Sequence, residues 1–214
     1  MNRKHFDKLL SSVRGLDTNL MITGVRFLYY WLKGKEIVAH QHATIIGIEN
    51  IETYGRLFVG TSSNGFLLPS DRTLLNIRGS LVVRSTFNIG RGCRIDIGPN
   101  ALCDLGSGYI NANTRLVIMH GLKIGQEVAV AWDCEFLDHD FHTLHYEGKK
   151  EKAPGIEIGD RVWIGSGTKI LKGVRIANNT VVASNSLVTR SFEEENTLIG
   201  GTPAKVMKRN IKWK

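Results

Sequence analysis

Residues 158–192 read IGDRVW-IGSGTK-ILKGVR-IANNTV-VASNSL-VTRSF, six consecutive hexads that open on Ile158, Ile164, Ile170, Ile176, Val182 and Val188. The fifth position of each is Val162, Thr168, Val174, Thr180, Ser186 or Phe192, and the second is small in most hexads. An α-helix cannot use this period, because side chains six apart lie about 240° round its axis and make no stripe. Short strands with a corner every six residues can. They make a three-sided coil of about eighteen residues in which each aliphatic points inward and stacks on its equivalent in the next coil.

The same register appears upstream at Ile118, Ile124, Val130 and Phe136, and more loosely at Ile77, Val83 and Ile89. Between Ile95 and Leu105 it slips, which predicts a local bulge in the solenoid. From Thr143 to Glu157 it fails outright. That segment carries Lys149, Lys150 and Lys152 and ends in Pro154-Gly155, the composition of a loop thrown out from the coil. The expected fold is therefore an all-β solenoid, a parallel β-helix over residues 41–210 with an excursion loop at 143–157 and a short tail at 211–214.

Residues 1–40 are of another kind. Phe6, Leu9, Leu10 and Val13 recur at helical spacing among Arg3, Lys4, Lys8 and Arg14, and an apolar, aromatic run follows from Leu20 to Leu32. Thirteen residues containing Arg26 are too few and too charged to span a bilayer, and no small-residue cleavage site marks a secretory signal. Two readings stay open for residues 1–35: helices that cap the end of the β-helix, or a peripheral membrane contact with cations facing anionic lipid.

With 214 residues, 42% of them hydrophobic, the chain can bury a core. Its net charge of +8 asks for an acidic partner. The basic residues gather at the two chain ends and no aromatic-and-basic motif accompanies them, so an anionic cofactor or membrane surface fits better than nucleic acid. Cys93, Cys103 and Cys134 have no metal-type spacing and read as core fillers in a reducing compartment.

The densest reactive cluster stands just before the loop: Asp138-His139-Asp140-Phe141-His142, with His145 three residues on. Histidine is the natural general base near neutral pH, and a nearby carboxylate can hold its tautomer. Together with the loop, Gly159-Asp160-Arg161-Val162-Trp163-Ile164-Gly165, further hexads and Gly201-Thr202-Pro203-Ala204-Lys205-Val206, this order of pieces resembles the hexapeptide-repeat acyltransferases of the left-handed β-helix superfamily. The likeness covers roughly residues 75 to 210 and is greatest to the sugar O-acetyltransferases of O-antigen and capsule synthesis.

That resemblance implies acetyl transfer from acetyl-CoA to a sugar or glycan hydroxyl, by a cytoplasmic homotrimer, at the inner membrane face if the N-terminus meets lipid. It places the general base at His142, with Asp138 or Asp140 to orient it, and His139 or His145 as alternatives. It lines coenzyme A with Ser166 and Ser184 along the pantetheine arm, and with Thr189, Arg190, Lys205 and Lys208 toward the phosphates. No metal is implied. Thr202 stands where the family often has Asn, and Ala183-Ser184-Asn185 is less glycine-rich than usual. Trp132 and Trp163 suit either sugar stacking or a subunit interface. Two rival readings are a non-catalytic β-helix scaffold and a zinc-dependent carbonic anhydrase on the same fold, which needs three histidines converging across a subunit interface, His120 and one of the later histidines among them.

Overall fold

The computed structural model describes residue 13 and residues 17–61, 68, 70–143, 145, 147 and 155–214. Described strands fall into three sheets. The first holds β1 (Ile37–Ala39), β4 (Leu57–Val59), β7 (Phe87–Ile89), β10 (Gly108–Ile110), β13 (Val128–Val130), β16 (Trp163–Ile164), β19 (Val181–Val182), β21 (Leu198–Gly201) and β22 (Ala204–Lys208). In the second stand β2 (Ala43–Ile46), β5 (Thr73–Ile77), β8 (Arg94–Ile97), β11 (Arg115–Ile118), β14 (Glu135–Leu137), β17 (Lys169–Leu171) and β20 (Leu187–Val188). The third comprises β3 (Ile51–Thr53), β6 (Ser80–Val83), β9 (Leu102–Leu105), β12 (Gly121–Ile124), β15 (Ile156–Ile158) and β18 (Arg175–Ile176).

Among the described strands, those of successive coils pair in parallel, and only β21 and β22 pair antiparallel. This is the expected left-handed parallel β-helix. All six hexad aliphatics are buried, as are the fifth-position side chains from Val162 to Phe192. Where that fifth side chain is polar, it returns its hydrogen bond to the backbone: Thr168 donates to the Ala183 carbonyl at 3.2 Å and Ser186 to the same oxygen at 2.6 Å.

Corners carry the chirality of the coil. Asn113, Asp133, Gly167 and Asn185 repeat at the edge between the first and second sheets with φ of 61°, 57°, 70° and 56°. Asn and Asp tolerate this left-handed region better than most residues. Gly167 leaves room for the coil above, since a Cβ there would lie 2.2 Å from the Asn185 Oδ1. At the edge between the third and first sheets a side-chain ladder climbs the coil: Gln126 N–H donates to Asp160 at 2.7 Å, and Asp160 N–H to Asn178 at 2.8 Å.

The expected bulge between Ile95 and Leu105 is absent. β8 and β9 run in register with both neighbours, Ile77 beside Ile97 and Ile97 beside Ile118. Those partners are 20 and 21 residues apart, so the slip comes from longer corners and not from a disturbed strand. Two boundaries also differ from expectation. The coil already starts at Ile37, and the strand after the excursion starts at Ile156, so Glu157 belongs to β15.

Among the described residues, α1 (Leu20–Leu32) precedes the coil. Asn19 caps it, its side chain accepting the N–H groups of Met21 and Ile22 at 3.1 Å. α1 buries Phe27 against Val38 and Val13, and Tyr30 in the main core. Arg26 crosses from the helix to the His40 carbonyl at 2.8 Å. The expected earlier helix around Phe6, Leu9 and Leu10 lies outside the described residues.

Candidate active site

The edge between the second and third sheets is where β14 ends and the coil is interrupted, and it carries the Asp138–His142 segment. Asp138 follows Leu137 at an inward position and is fully buried. One carboxylate oxygen accepts the Met119 N–H at 2.7 Å, the other the N–H groups of His120 and Gly121, both at 2.8 Å. Three of its roughly four acceptor sites are thus taken by the backbone of the preceding coil, through charge-assisted bonds. These bonds hold Asp138 against the coil that carries His120.

His139 is half-buried. Its ring packs against His120 of the preceding coil, centroids 5.2 Å apart, and meets Phe141 edge-on at 4.8 Å. The Phe141 N–H donates to Nδ1 at 2.8 Å, with Phe141 itself at φ 60°. A neutral imidazole that accepts at Nδ1 carries its proton on Nε2. Asp140 is exposed and pairs with the Lys172 ammonium at 2.5 Å. His142, Thr143 and His145 are exposed, and Leu144 between them lies outside the described residues, as does the loop at 148–154. Among the described residues no group of three or more His, Cys, Asp or Glu side chains could hold a metal ion.

Lys172 was not singled out from the sequence, yet the register contains it. With the excursion removed, Phe136 stacks on Ile170 and Leu137 on Leu171, so the residue that follows at this corner is Lys172.

The six residues expected to line coenzyme A divide between two edges. Ser166 and Ser184 occupy the corner between the first and second sheets in successive coils, two residues beyond the paired Ile164 and Val182. The turn that leads to Lys205 lies beside them, since the Thr202 hydroxyl donates to the Asn185 carbonyl at 3.5 Å and Lys205 pairs with Gly200. Lys208 lies farther along β22, opposite Leu198. Thr189 and Arg190, by contrast, follow β20 on the edge that holds Lys172 and the imidazoles. There the Arg190 guanidinium lies over the Phe192 ring at 5.2 Å. Trp132 shares the corner column of Ser166 and Ser184, while Trp163 points outward from β16 and faces Trp213 at 6.1 Å.

Comparison with known proteins bears on this arrangement. The family profile described as bacterial transferase hexapeptide (six repeats) matches residues 155–190. A Klebsiella pneumoniae protein, named as an uncharacterized 24.8 kDa protein in the cps region, is 36% identical over 197 residues, 90% of this chain and 89% of that one. The chain belongs to the bacterial hexapeptide-repeat transferase family.

Other relatives of this hexapeptide transferase bear acetyltransferase names, and it is an enzyme of that class. The Escherichia coli (strain K12) putative lipopolysaccharide biosynthesis O-acetyl transferase WbbJ is 27% identical over 143 residues, 61% of this chain and 72% of that protein. Galactoside O-acetyltransferase of the same organism is 33% identical over 121 residues, 55% of each chain. The crystal structure of the polySia-specific acetyltransferase NeuO shares the fold at a TM-score of 0.52, with 20% identity over 83% of this chain and 77% of that one.

Proposed function

We propose that this hexapeptide transferase moves the acetyl group of acetyl-CoA onto a hydroxyl of a sugar or glycan, with an imidazole of the 139–142 corner as general base. The carrying observation is positional: an exposed imidazole and a packed one stand where the coil of a family transferase is interrupted. The relatives named as lipopolysaccharide and galactoside O-acetyltransferases support a sugar acceptor.

In the proposed step the base takes the proton of the acceptor hydroxyl as its oxygen attacks the thioester carbonyl. Backbone N–H groups hold the resulting oxyanion, then the C–S bond breaks and the imidazolium returns the proton to the departing thiolate. His142 is the base in the first reading, because its side chain is exposed at the interrupted corner. A second reading gives the role to His139, whose ring is already held by His120 and Phe141. It requires the acceptor hydroxyl to displace the Phe141 N–H from Nδ1, which then takes the proton while Nε2 keeps its own.

Ser166 and Ser184 are small enough to let the pantetheine arm approach the backbone, and Lys205 and Lys208 supply cations for the phosphate end. Thr189 and Arg190 lie nearer the reacting end on this arrangement. The exposure of His142 and Trp163 supports a homotrimer in which a neighbouring subunit closes the site, working on the cytoplasmic side.

Thiol release from acetyl-CoA, measured against nucleotide sugars and surface-polysaccharide repeat units, tests the function. His142→Ala is expected to lower kcat by about 10²–10⁴-fold with acetyl-CoA binding intact. Full activity in His142→Ala with collapse in His139→Ala establishes the second reading. Acceptor-independent thiol release, which is hydrolysis, or none with any of these acceptors, rejects the sugar-hydroxyl acceptor.

A further inference from the structure

The outward side of α1 carries no charge. Met21, Val25 and Leu32 are 79%, 66% and 70% exposed, and Ile22, Leu28 and Tyr29 beside them are exposed too. Their spacing makes one continuous stripe along the helix. Arg26, the only charged residue of α1, is turned to the coil, where it bonds the His40 carbonyl and the Tyr30 hydroxyl. A helix packed on a soluble domain normally shows water a charged face. An apolar stripe of this extent marks a surface that something else covers.

The charge of the surrounding sequence identifies the cover. Residues 1–35 contain seven Lys or Arg against Asp7 and Asp17, so they hold five of the chain's eight net positive charges. Two copies joined through α1 would bring two such segments together, which Coulomb repulsion opposes. An anionic surface turns the same charge into attraction. Tyr29 and Trp31, both exposed, have the amphipathic rings that favour the headgroup level. No helix among the described residues is long and apolar enough to cross a membrane, so α1 would lie in the interface rather than span it.

We infer that α1 docks this transferase on an anionic lipid surface, with its Met21, Val25, Leu28 and Leu32 stripe immersed at the acyl boundary. α1 packs on β1, four strand steps below β13 in the first sheet, and the Asp138–His142 corner follows β14 at the same height in the second. Four steps are roughly 19 Å. A glycan anchored in the same bilayer would reach the corner after a few sugar units. That last step rests on the sugar acceptor proposed above, whereas the docking does not.

Co-flotation of the full chain with vesicles tests the docking without any acceptor. Binding is expected to vesicles containing phosphatidylglycerol, to weaken with salt, and to be lost from pure phosphatidylcholine. The variant Val25→Glu/Leu32→Glu changes two exposed side chains, so its thermal midpoint and oligomeric state should match the parent while its partitioning falls by about tenfold or more. Equal flotation of parent and variant, or no flotation of the parent with anionic vesicles, overturns the proposal. So does a change of oligomeric state in the variant, which would make the stripe a subunit contact.

Discussion

The carboxylate of Asp138 accepts the backbone N–H of His120 at 2.8 Å, which joins the coil that bears the imidazoles to the coil beneath it. Met119 and Gly121 donate to the same carboxylate, so three N–H groups depend on one buried side chain. Asp138→Ala leaves those donors without their acceptor and is expected to cost about 3 kcal/mol or more. In a chain of this length that is a fall of roughly 10 °C in thermal midpoint. A residue that oriented the base would instead lower kcat and shift the pH–rate profile at unchanged stability, so calorimetry together with that profile separates the two roles.

Lys172 and Asp140 form the complementary tie, from the same segment to the coil above. Both side chains are partly solvated, so the pair contributes at most about 1 kcal/mol to stability. Its larger effect is on position, since Asp140 lies between the two candidate imidazoles. Lys172→Met should leave the thermal midpoint within a few degrees and acetyl-CoA affinity unchanged while kcat falls by about tenfold. Lys172→Arg restores the pair and should recover most of the rate. A loss in KM for acetyl-CoA with kcat intact would contradict this assignment.

The solenoid was legible in residues 158–192 because inward or outward facing is a local property there: one aliphatic every six residues leaves no other packing. The upstream coils were harder to read. Their strands are as regular, but their corners take extra residues, as between Ile77, Ile97 and Ile118, and extra corner residues carry no hydrophobic signal. The insertion between Leu57 and Phe87, partners 30 residues apart, was missed for the same reason. At the site, the sequence located the Asp138–His142 cluster but could not say which way each side chain faces. Asp138 turned to backbone amides contributed by residues 119–121, a partnership visible only once coils are stacked. Thr189 and Arg190 separated from Ser166 and Ser184 because consecutive hexads occupy different sides of the coil.

His40 gives the fold a pH dependence with a definite sign. Its ring is buried, with Nε2 against the Asp17 carbonyl at 2.9 Å and the Arg91 guanidinium at 3.1 Å, and Nδ1 accepting the His42 N–H at 3.2 Å. Burial holds its pKa below the ordinary 6.5, and the nearby charges of Arg91 and His42 push the same way, against the Asp17 carbonyl and carboxylate that raise it. The unfolded chain therefore binds this proton more readily. Stability from His40 is complete above pH 6.5 and is lost as pH falls through the lowered folded value. Thermal midpoints measured downward from neutral pH should decline over this window in the parent and decline less in His40→Gln; parallel slopes would remove His40 as the source.

The three cysteines test the packing of the fifth hexad position. Burial pushes the thiol of Cys93 up to about 12 and that of Cys134 to about 11, and raises Cys103 as well. Thiolate is the reactive species, so an aromatic disulfide reagent at mildly alkaline pH should label none of them in the native protein and all three in guanidinium. Cys134 stacks in the coil on Thr168 and donates to the Gly165 carbonyl at 3.3 Å, much as Thr168 donates to Ala183. Cys134→Thr therefore keeps a small inward group with a donor that has an acceptor waiting, and should change stability by no more than about 1 kcal/mol. Cys134→Asp places a carboxylate at a buried core position and should prevent folding. Rapid native labelling of Cys134, or equal stability of the Thr and Asp variants, would show that the position is open to solvent and that the coil does not close there as described.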